Sequence, residues 1–465
     1  MTAKKKILLN AFNMNCVGHI NHGLWTHPRD RSSDYKRLDY WTSMAQTLER
    51  GLFDGIFLAD IVGVYDIYQN SVDLTLRESI QLPVNDPLLL ISGMAAVTRN
   101  LGFGITVNLN SEAPYIFARR MSTLDHLTSG RVGWNIVTGY LDSASRALGL
   151  DGQAEHDSRY DRADDYLDVL YKLWEGSWED DAVINDKGTR RYADPSKVHS
   201  IHHDGPFYKS HGYHLSEPSV QRTPVLYQAG TSGRGRQFAA RHAECVFITA
   251  TDKAAARATA RTLRQEVVAA GRRPDDIKIF VGITIIPGRT QREVEEKLAE
   301  YKRYASPEAG LAHFAAGTGI DFSKYDLDDP ITYGTSNSIQ SVTQLAKQKG
   351  WTKRQLLAQV EIGGRYPVIA GDASHVADEL SSWIEAGEID GFNLTRTVTP
   401  ESYEDFIDIV VPELQDRGIY KTSYDDGSLR NRLFGQGDRL PDRHTGASFR
   451  VAATPPTAAR SAAAL

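Results

Sequence analysis

Eight short apolar runs, each followed by a helical pattern, set the tightest limit on how this chain can fold. The runs are Ile7–Phe12, Ile56–Ala59, Phe103–Val107, Val132–Val137, Pro224–Gln228, Cys245–Thr249, Ile277–Ile286 and Gly391–Leu394. Runs so short and so continuously apolar read as strands buried on both faces, which is how parallel sheets are written. Between them lie amphipathic stretches such as Asp161–Trp174, where Tyr166, Leu167, Leu170 and Trp174 recur at helical spacing. Eight strand–helix repeats are the number that a (β/α)8 TIM barrel requires. A doubly wound sheet is the rival, because alternation alone does not show closure.

Four stretches are too long for ordinary connections, at about 61–84, 138–157, 175–223 and 287–367. Insertions of this length in a compact domain tend to be lids or binding loops. Three of the four follow a strand, so a barrel would gather them over its C-terminal mouth, where active sites sit. The barrel domain is expected over residues 1–422. Residues 423–465 form a C-terminal extension, with a partly mobile, Ala-rich end.

Composition narrows the class. A net charge of −6 over 465 residues argues against a surface that coats nucleic acid. No run approaches the roughly 18 apolar residues of a membrane span, and mean hydropathy is −0.39. The basic residues at Met1–Lys6 have no apolar stretch behind them, so no signal peptide is expected. Cys16 and Cys245 are too few for a disulfide scaffold or a zinc site. The expectation is a cytoplasmic enzyme with neither nucleic acid nor membrane as partner.

The clearest local signal is Tyr227-Gln228-Ala229-Gly230-Thr231-Ser232-Gly233-Arg234-Gly235-Arg236, where a strand gives way to a helix. Small residues there let the backbone approach an anion, and free N–H groups at the helix start point at it. This reads as a phosphate cradle, to which Arg234 or Arg236 would add charge. An ordinary Gly-rich turn with solvated arginines is the plain alternative. The stretch is neither a Walker A loop nor a nucleophile elbow. Gly102-Phe103-Gly104 lies inside a strand and lacks a third glycine, so it reads as close packing rather than nicotinamide binding.

His199, His202, His203, His211 and His214 crowd one insertion, but no acid–histidine helix pattern accompanies them. Packing or solvent-facing histidines are favoured there over a metal site. At the end of the first strand, His19 is a candidate acid, base or hydrogen-bond donor. Cys16 reads as a buried wall before it reads as a nucleophile, because no base adjoins it. Asp60 presents a carboxylate at the end of the second strand, with a helix cap as its structural alternative.

Several segments resemble one family. They are Asn10–His19, Val84–Pro87, Arg120–Leu127, Gly130–Asn135, Glu155–Asp161, Pro195–His199, Gln228–Gly230 and Asp390–Leu394. The sequence resembles the bacterial luciferase-like superfamily of flavin-dependent monooxygenases, in the branch of the nitrilotriacetate and dibenzothiophene-sulfone monooxygenases. Within it, the enzymes acting on long-chain alkanes and dimethyl sulfide look most alike.

The resemblance implies FMN across the barrel mouth, used as FMNH2 with O2 as co-substrate through a flavin (hydro)peroxide. It implies an isoalloxazine bordered by Asp60, Thr106 and Asn108, with Gly139 nearby. The phosphate would be held by Tyr160 and the turn Ala229, Gly230, Thr231 and Ser232, with His156 close to the polar tail. The substrate side would be lined by Cys16, His19, Tyr65, Gln81, Tyr140 and His313. Tyr140 matches the dimethyl sulfide enzymes and His313 the alkane enzymes, so the resemblance leaves the small organic substrate open. It also implies a separate NAD(P)H:flavin reductase and a homodimer or homotetramer. A riboflavin-cleaving lyase, a deazaflavin- or nicotinamide-dependent hydride-transfer enzyme, a non-catalytic flavin-binding protein and a metal hydrolase on the His-rich insertion are the alternatives.

Overall fold

The computed structural model describes residues 5–230, 232–331 and 350–451. Eight parallel strands close into a ring: β1 (Leu8–Met14), β2 (Gly55–Ala59), β3 (Gly102–Asn108), β4 (Val132–Val137), β5 (Val225–Gln228), β6 (Cys245–Ile248), β7 (Lys278–Pro287) and β8 (Gly391–Thr395). Each strand pairs with the next, and β8 pairs back onto β1 with Leu8 opposite Gly391. The rival doubly wound sheet is therefore excluded: this is a TIM barrel. A ninth strand, Val368–Gly371, pairs with the far half of β7 outside the ring.

Alternation along each strand explains the two cores. Leu9, Ile56, Leu58, Phe103, Ile105, Trp134 and Ile136 point outward and pack under the helices. Phe12, Phe57, Tyr227 and Phe247 point inward and fill the ring with edge-on and tilted aromatic contacts at 5.0–5.8 Å. Rings this large crowd the positions that face them on β3 and β4. A Cβ at Gly133 would lie 2.6 Å from the Tyr227 ring, and one at Gly104 3.1 Å from Phe57. The Gly102-Phe103-Gly104 run is thus a packing feature, as its place inside β3 suggests.

The insertions at 61–84, 138–157 and 287–367 share a second core over the mouth. Tyr65, Leu74 and Ile80 meet Leu141 and Ala144, and both groups meet Leu311, Ala312, Phe322 and Leu356. The insertion at 175–223 precedes a strand instead of following one. Its two hairpins, Val183–Asp186 with Arg191–Ala193 and Ile201–Asp204 with Lys209–Gly212, lie outside the barrel, the second against the helix His156–Gly176. Its histidines have local partners: His199 meets Glu179 at 2.9 Å, His203 meets Asp165 at 2.9 Å, and His214 meets Ser122 at 2.9 Å. Among the described residues, no three His, Cys, Asp or Glu side chains are placed to hold a metal ion. No described helix is long and apolar enough to cross a membrane.

Residues 424–451 close the N-terminal end of the ring. Leu429 and Leu433 join the inner aromatic cluster. Arg430 Nε and Nη2 donate to the Glu244 carboxylate at 2.6 and 2.8 Å. The Ala-rich residues expected to be mobile lie outside the described residues.

Candidate active site

At the end of β5 the backbone turns into the helix Gly233–His242, which Ser232 caps by accepting the Gly235 N–H at 3.1 Å. The same Ser232 hydroxyl lies 3.2 Å from His156 Nε2. The Tyr160 hydroxyl accepts from the Gln228 amide at 3.5 Å. A Cβ at Gly230 would fall 2.4 Å from that hydroxyl, so the turn comes this close only without a side chain. His156, Tyr160, Gly230 and Ser232 are thus brought together at a helix N-terminus, a geometry suited to an anion. Ala229 adjoins them on the chain, and Thr231 lies outside the described residues. Arg234 does not supply the free charge expected of it, because it pairs with Asp161 at 2.9 Å and with Asp164. Arg236 pairs with Glu266 at 3.1 Å.

Beside this cradle, over the ends of β2, β3 and β4, is a pocket of about 410 Å³ lined by Asp60, Thr106, Asn108, Val137, Gly139 and Tyr140. The Arg159 guanidinium holds the Gly139 carbonyl, and Gly139 adopts φ +78°, where a side chain would be strained. Asn135 donates to Thr106 Oγ1 at 2.9 Å, which leaves Asn135 Oδ1 buried without a partner. Gln228 Oε1 is orphaned in the same way. Buried acceptors of this kind call for a donor from a bound molecule.

Burial, with the charge of Asp86 added, pushes the Asp60 carboxyl up to about 7, against one hydrogen bond from the Ile61 backbone. A carboxyl raised on folding carries no penalty below its ordinary value of 3.8 and loses stability as pH rises through 7. Asp60→Asn should therefore gain on the wild type between pH 5 and pH 8. Urea midpoints at the two pH values should show a relative gain on the order of 1–2 kcal/mol.

Tyr140 is also a wall of a second pocket, of about 430 Å³, shared with Ile20, His22, His313, Phe314 and Arg365. Behind it runs a chain of polar contacts. Tyr65 donates to Gln81 Oε1 at 2.6 Å and its hydroxyl lies 3.1 Å from that of Tyr140. The Tyr65 ring stacks on His313 at 5.1 Å, and His313 Nδ1 meets His22 Nε2 at 3.0 Å. His19 stands edge-on to Phe12 at 4.6 Å, with Nδ1 buried and unpartnered.

Burial, and then the nearby Arg396, hold His19 well below the usual imidazole range and His22 at about 3. Burial with the charge of His22 does the same for His313. All three rings are neutral at pH 7 and act as hydrogen-bonding groups, not as cations. Burial pushes the Cys16 thiol up to about 12, and Sγ donates to the Gly18 carbonyl at 3.2 Å. A thiol this far from ionising is a wall and not a nucleophile.

The loop after β1 carries Cys16, His19 and His22 and is fastened from β8. Arg396 donates to the Cys16 carbonyl at 3.0 Å and to that of Val17 at 2.5 Å, while Asn21 donates to the Arg396 carbonyl at 2.8 Å. Sequence reasoning named Gln228 only as part of the cradle stretch and assigned no role to His22, Asn135, Arg159 or Arg365. His22 follows His19 by one helical turn's spacing, and Arg365 stands just after the pair Gly363-Gly364 inside the longest insertion.

Residues 20–388 match the family described as luciferase-like monooxygenase. The dimethyl-sulfide monooxygenase of Hyphomicrobium sulfonivorans is 50% identical over 454 residues, covering 97% of this chain and 95% of that protein. The long-chain alkane monooxygenase of Geobacillus thermodenitrificans (strain NG80-2) is 50% identical over 448 residues, covering 96% and 98%. A solved riboflavin lyase, described as holding modified FMN and riboflavin, superposes with a TM-score of 0.91 at 38% identity, covering 96% and 100%. With this barrel, and with identity of this depth across nearly its full length, the chain belongs to the luciferase-like monooxygenase family and is an enzyme of that class.

Proposed function

We propose that this protein is the oxygenase of a two-component system, using FMNH2 and O2 to oxidise a small organic molecule. The observation that carries the reading is the row of three sites along one mouth. An anion cradle at Ser232 adjoins a pocket at Asp60, which shares Tyr140 with a second pocket. FMN fits these residues: a phosphate suits the helix N-terminus, and a polar ring edge suits the orphaned acceptors of Asn135 and Gln228. The dimethyl sulfide and alkane enzymes among its relatives, and the FMN of the riboflavin lyase, support the same class.

Reduced FMN, when bound, supplies the electrons that activate O2. The protein's part is to bind, orient and keep out water. His156, Tyr160, Ala229, Gly230 and Ser232 would grip the phosphate, while Asp60, Thr106, Asn108 and Gly139 would border the ring. His19, neutral and unpartnered at Nδ1, offers a hydrogen bond at the reacting centre, and the Tyr140 hydroxyl offers a second. Tyr65, Gln81 and His313 hold Tyr140 in place, and Cys16 fills the wall behind. The three insertions packed over the mouth exclude bulk water.

No dinucleotide fingerprint follows a strand in the sequence, so a separate NAD(P)H:flavin reductase delivers the reduced flavin. The oxygenase works in the cytoplasm as a homodimer or homotetramer. Supplying reductase, NADH, FMN and a panel of alkyl sulfides, alkanes and short alkanesulfonates and carboxylates should give a product that carries an oxygen atom from O2 from at least one of them. Product formation should stop when either the reductase or O2 is omitted. Turnover without O2, or flavin binding with no oxygenated product from any candidate, would reassign the protein.

A further inference from the structure

We infer that the second pocket takes an organic anion, a short apolar chain ending in a sulfonate, sulfinate or carboxylate, with Arg365 as its counter-ion. The inference deepens the oxygenase reading by naming the chemistry of its substrate, and it rests on taking this pocket as the substrate side.

Arg365 is held where it is by a built turn. Gly363 and Gly364 adopt φ of +83° and +60°, and the Gly363 N–H donates to Asn21 Oδ1 at 2.6 Å. Gly364 backs onto Ile20, whose Cγ2 would lie 3.1 Å from a Cβ there. The arginine then enters the pocket beside His22, Tyr140 and His313. Its Nε and Nη2 reach the Tyr366 hydroxyl at 3.4 and 3.3 Å, and the guanidinium lies 5.5 Å from the centre of that ring.

Among the described residues no carboxylate pairs with Arg365, and the neighbours that bear on its charge are the phenols of Tyr366, Tyr140 and Tyr65. The remaining residues of the chain contain neither Asp nor Glu. Other arginines of the interior are differently placed: Arg430 is paired with Glu244, Arg396 is spent on two carbonyls, and Arg131 donates to the carbonyls of Ala95, Thr98, Leu101 and Thr128. A half-buried guanidinium facing a cavity with phenols and no carboxylate for company is a poor stabilising device and a good anion receptor. Its planar fork matches a sulfonate or carboxylate.

The rest of the pocket agrees. Of the pocket's walls, His22 keeps a buried Nδ1 without a partner, and as an N–H donor it would add to an oxyanion's hydrogen bonds. The neutral state of His22 and His313 leaves Arg365 as the fixed charge of the pocket. Ile20, Phe314 and Val360, with Gly310 and Gly317, give the pocket an apolar side for a short tail. Asp60 and Asn108 lie in the other pocket, on the far side of Tyr140.

Calorimetric titration of the full-length protein with butane-1-sulfonate and with butan-1-ol tests this, in the wild type, Arg365→Gln and Arg365→Lys, with FMN binding followed by fluorescence in each. The sulfonate should bind the wild type about tenfold or more tighter than the alcohol. Arg365→Gln should lose that margin, Arg365→Lys should keep part of it, and alcohol and FMN affinities should stay within about twofold. The proposal is overturned by a sulfonate that binds no tighter than the alcohol, or one that binds Arg365→Gln unchanged. Loss of FMN affinity in both variants would overturn it too, since the arginine would then serve the cofactor. None of these readouts needs turnover, so failure of the oxygenase reading would appear separately, as FMN bound without oxygenated product.

Discussion

Alanine in place of His19 is expected to lower coupled product formation about 100-fold while leaving FMN affinity within about twofold. The imidazole is 3% exposed, stands at the end of β1 against Phe12, and is neutral because burial and Arg396 both oppose its charge. Its contribution is therefore one directed N–H in a dry site, where a hydrogen bond is worth far more than in water. The measurement is product formed per NADH consumed, with the reductase in excess. A drop in that ratio with unchanged flavin binding assigns His19 to the reacting centre. Wild-type coupling would remove it from the mechanism. His19→Asn, which keeps a donor, should recover part of the loss.

The largest effect on stability is expected at Arg430. Replacing it by methionine leaves Glu244, 3% exposed, as an uncompensated buried charge at the bottom of the ring. Breaking such a pair from one side costs about 3–5 kcal/mol. Arg430 also donates to the carbonyls of Thr223, Pro224 and Asp438, so the same change loosens the segment that plugs the barrel. A urea titration should show the midpoint falling accordingly. The double variant Arg430→Met with Glu244→Leu should recover much of it, because removing both charges also removes the desolvation penalty. A midpoint unchanged in the single variant would mean that residues 424–451 contribute little to the fold.

Much of the barrel was legible because each ring strand is an apolar run of its own, bounded by polar residues and a helical pattern. All eight runs correspond to strands of the ring. The strand Val368–Gly371 escaped because four residues that include Ala and Gly carry no periodicity, and it pairs outside the ring. The role of the C-terminal segment escaped for a similar reason. The helix Leu429–Phe434 is too short for an apolar face to show, and Arg430 reads as a surface residue until Glu244 is seen opposite.

At the site, the cradle could be read directly, since Gly230 and Ser232 sit within one strand-to-helix turn. The two charges expected to assist it could not. Arg234 and Arg236 find their carboxylates on the helices His156–Gly176 and Lys253–Ala269, far along the sequence. Arg365 and His22 are separated by more than 300 residues and meet only because an insertion folds back over the mouth. Local motifs reveal what one turn can build, and not what three insertions assemble.

The proposed oxygenase needs a flavin phosphate held at the Ser232 turn, and comparing the affinities of FMN and riboflavin tests this most directly. Fluorescence titration of the wild type should give FMN a preference of about 100-fold or more, falling to within about tenfold in Ser232→Ala. Equal affinity for the two flavins in the wild type, or a preference untouched by the substitution, would contradict it.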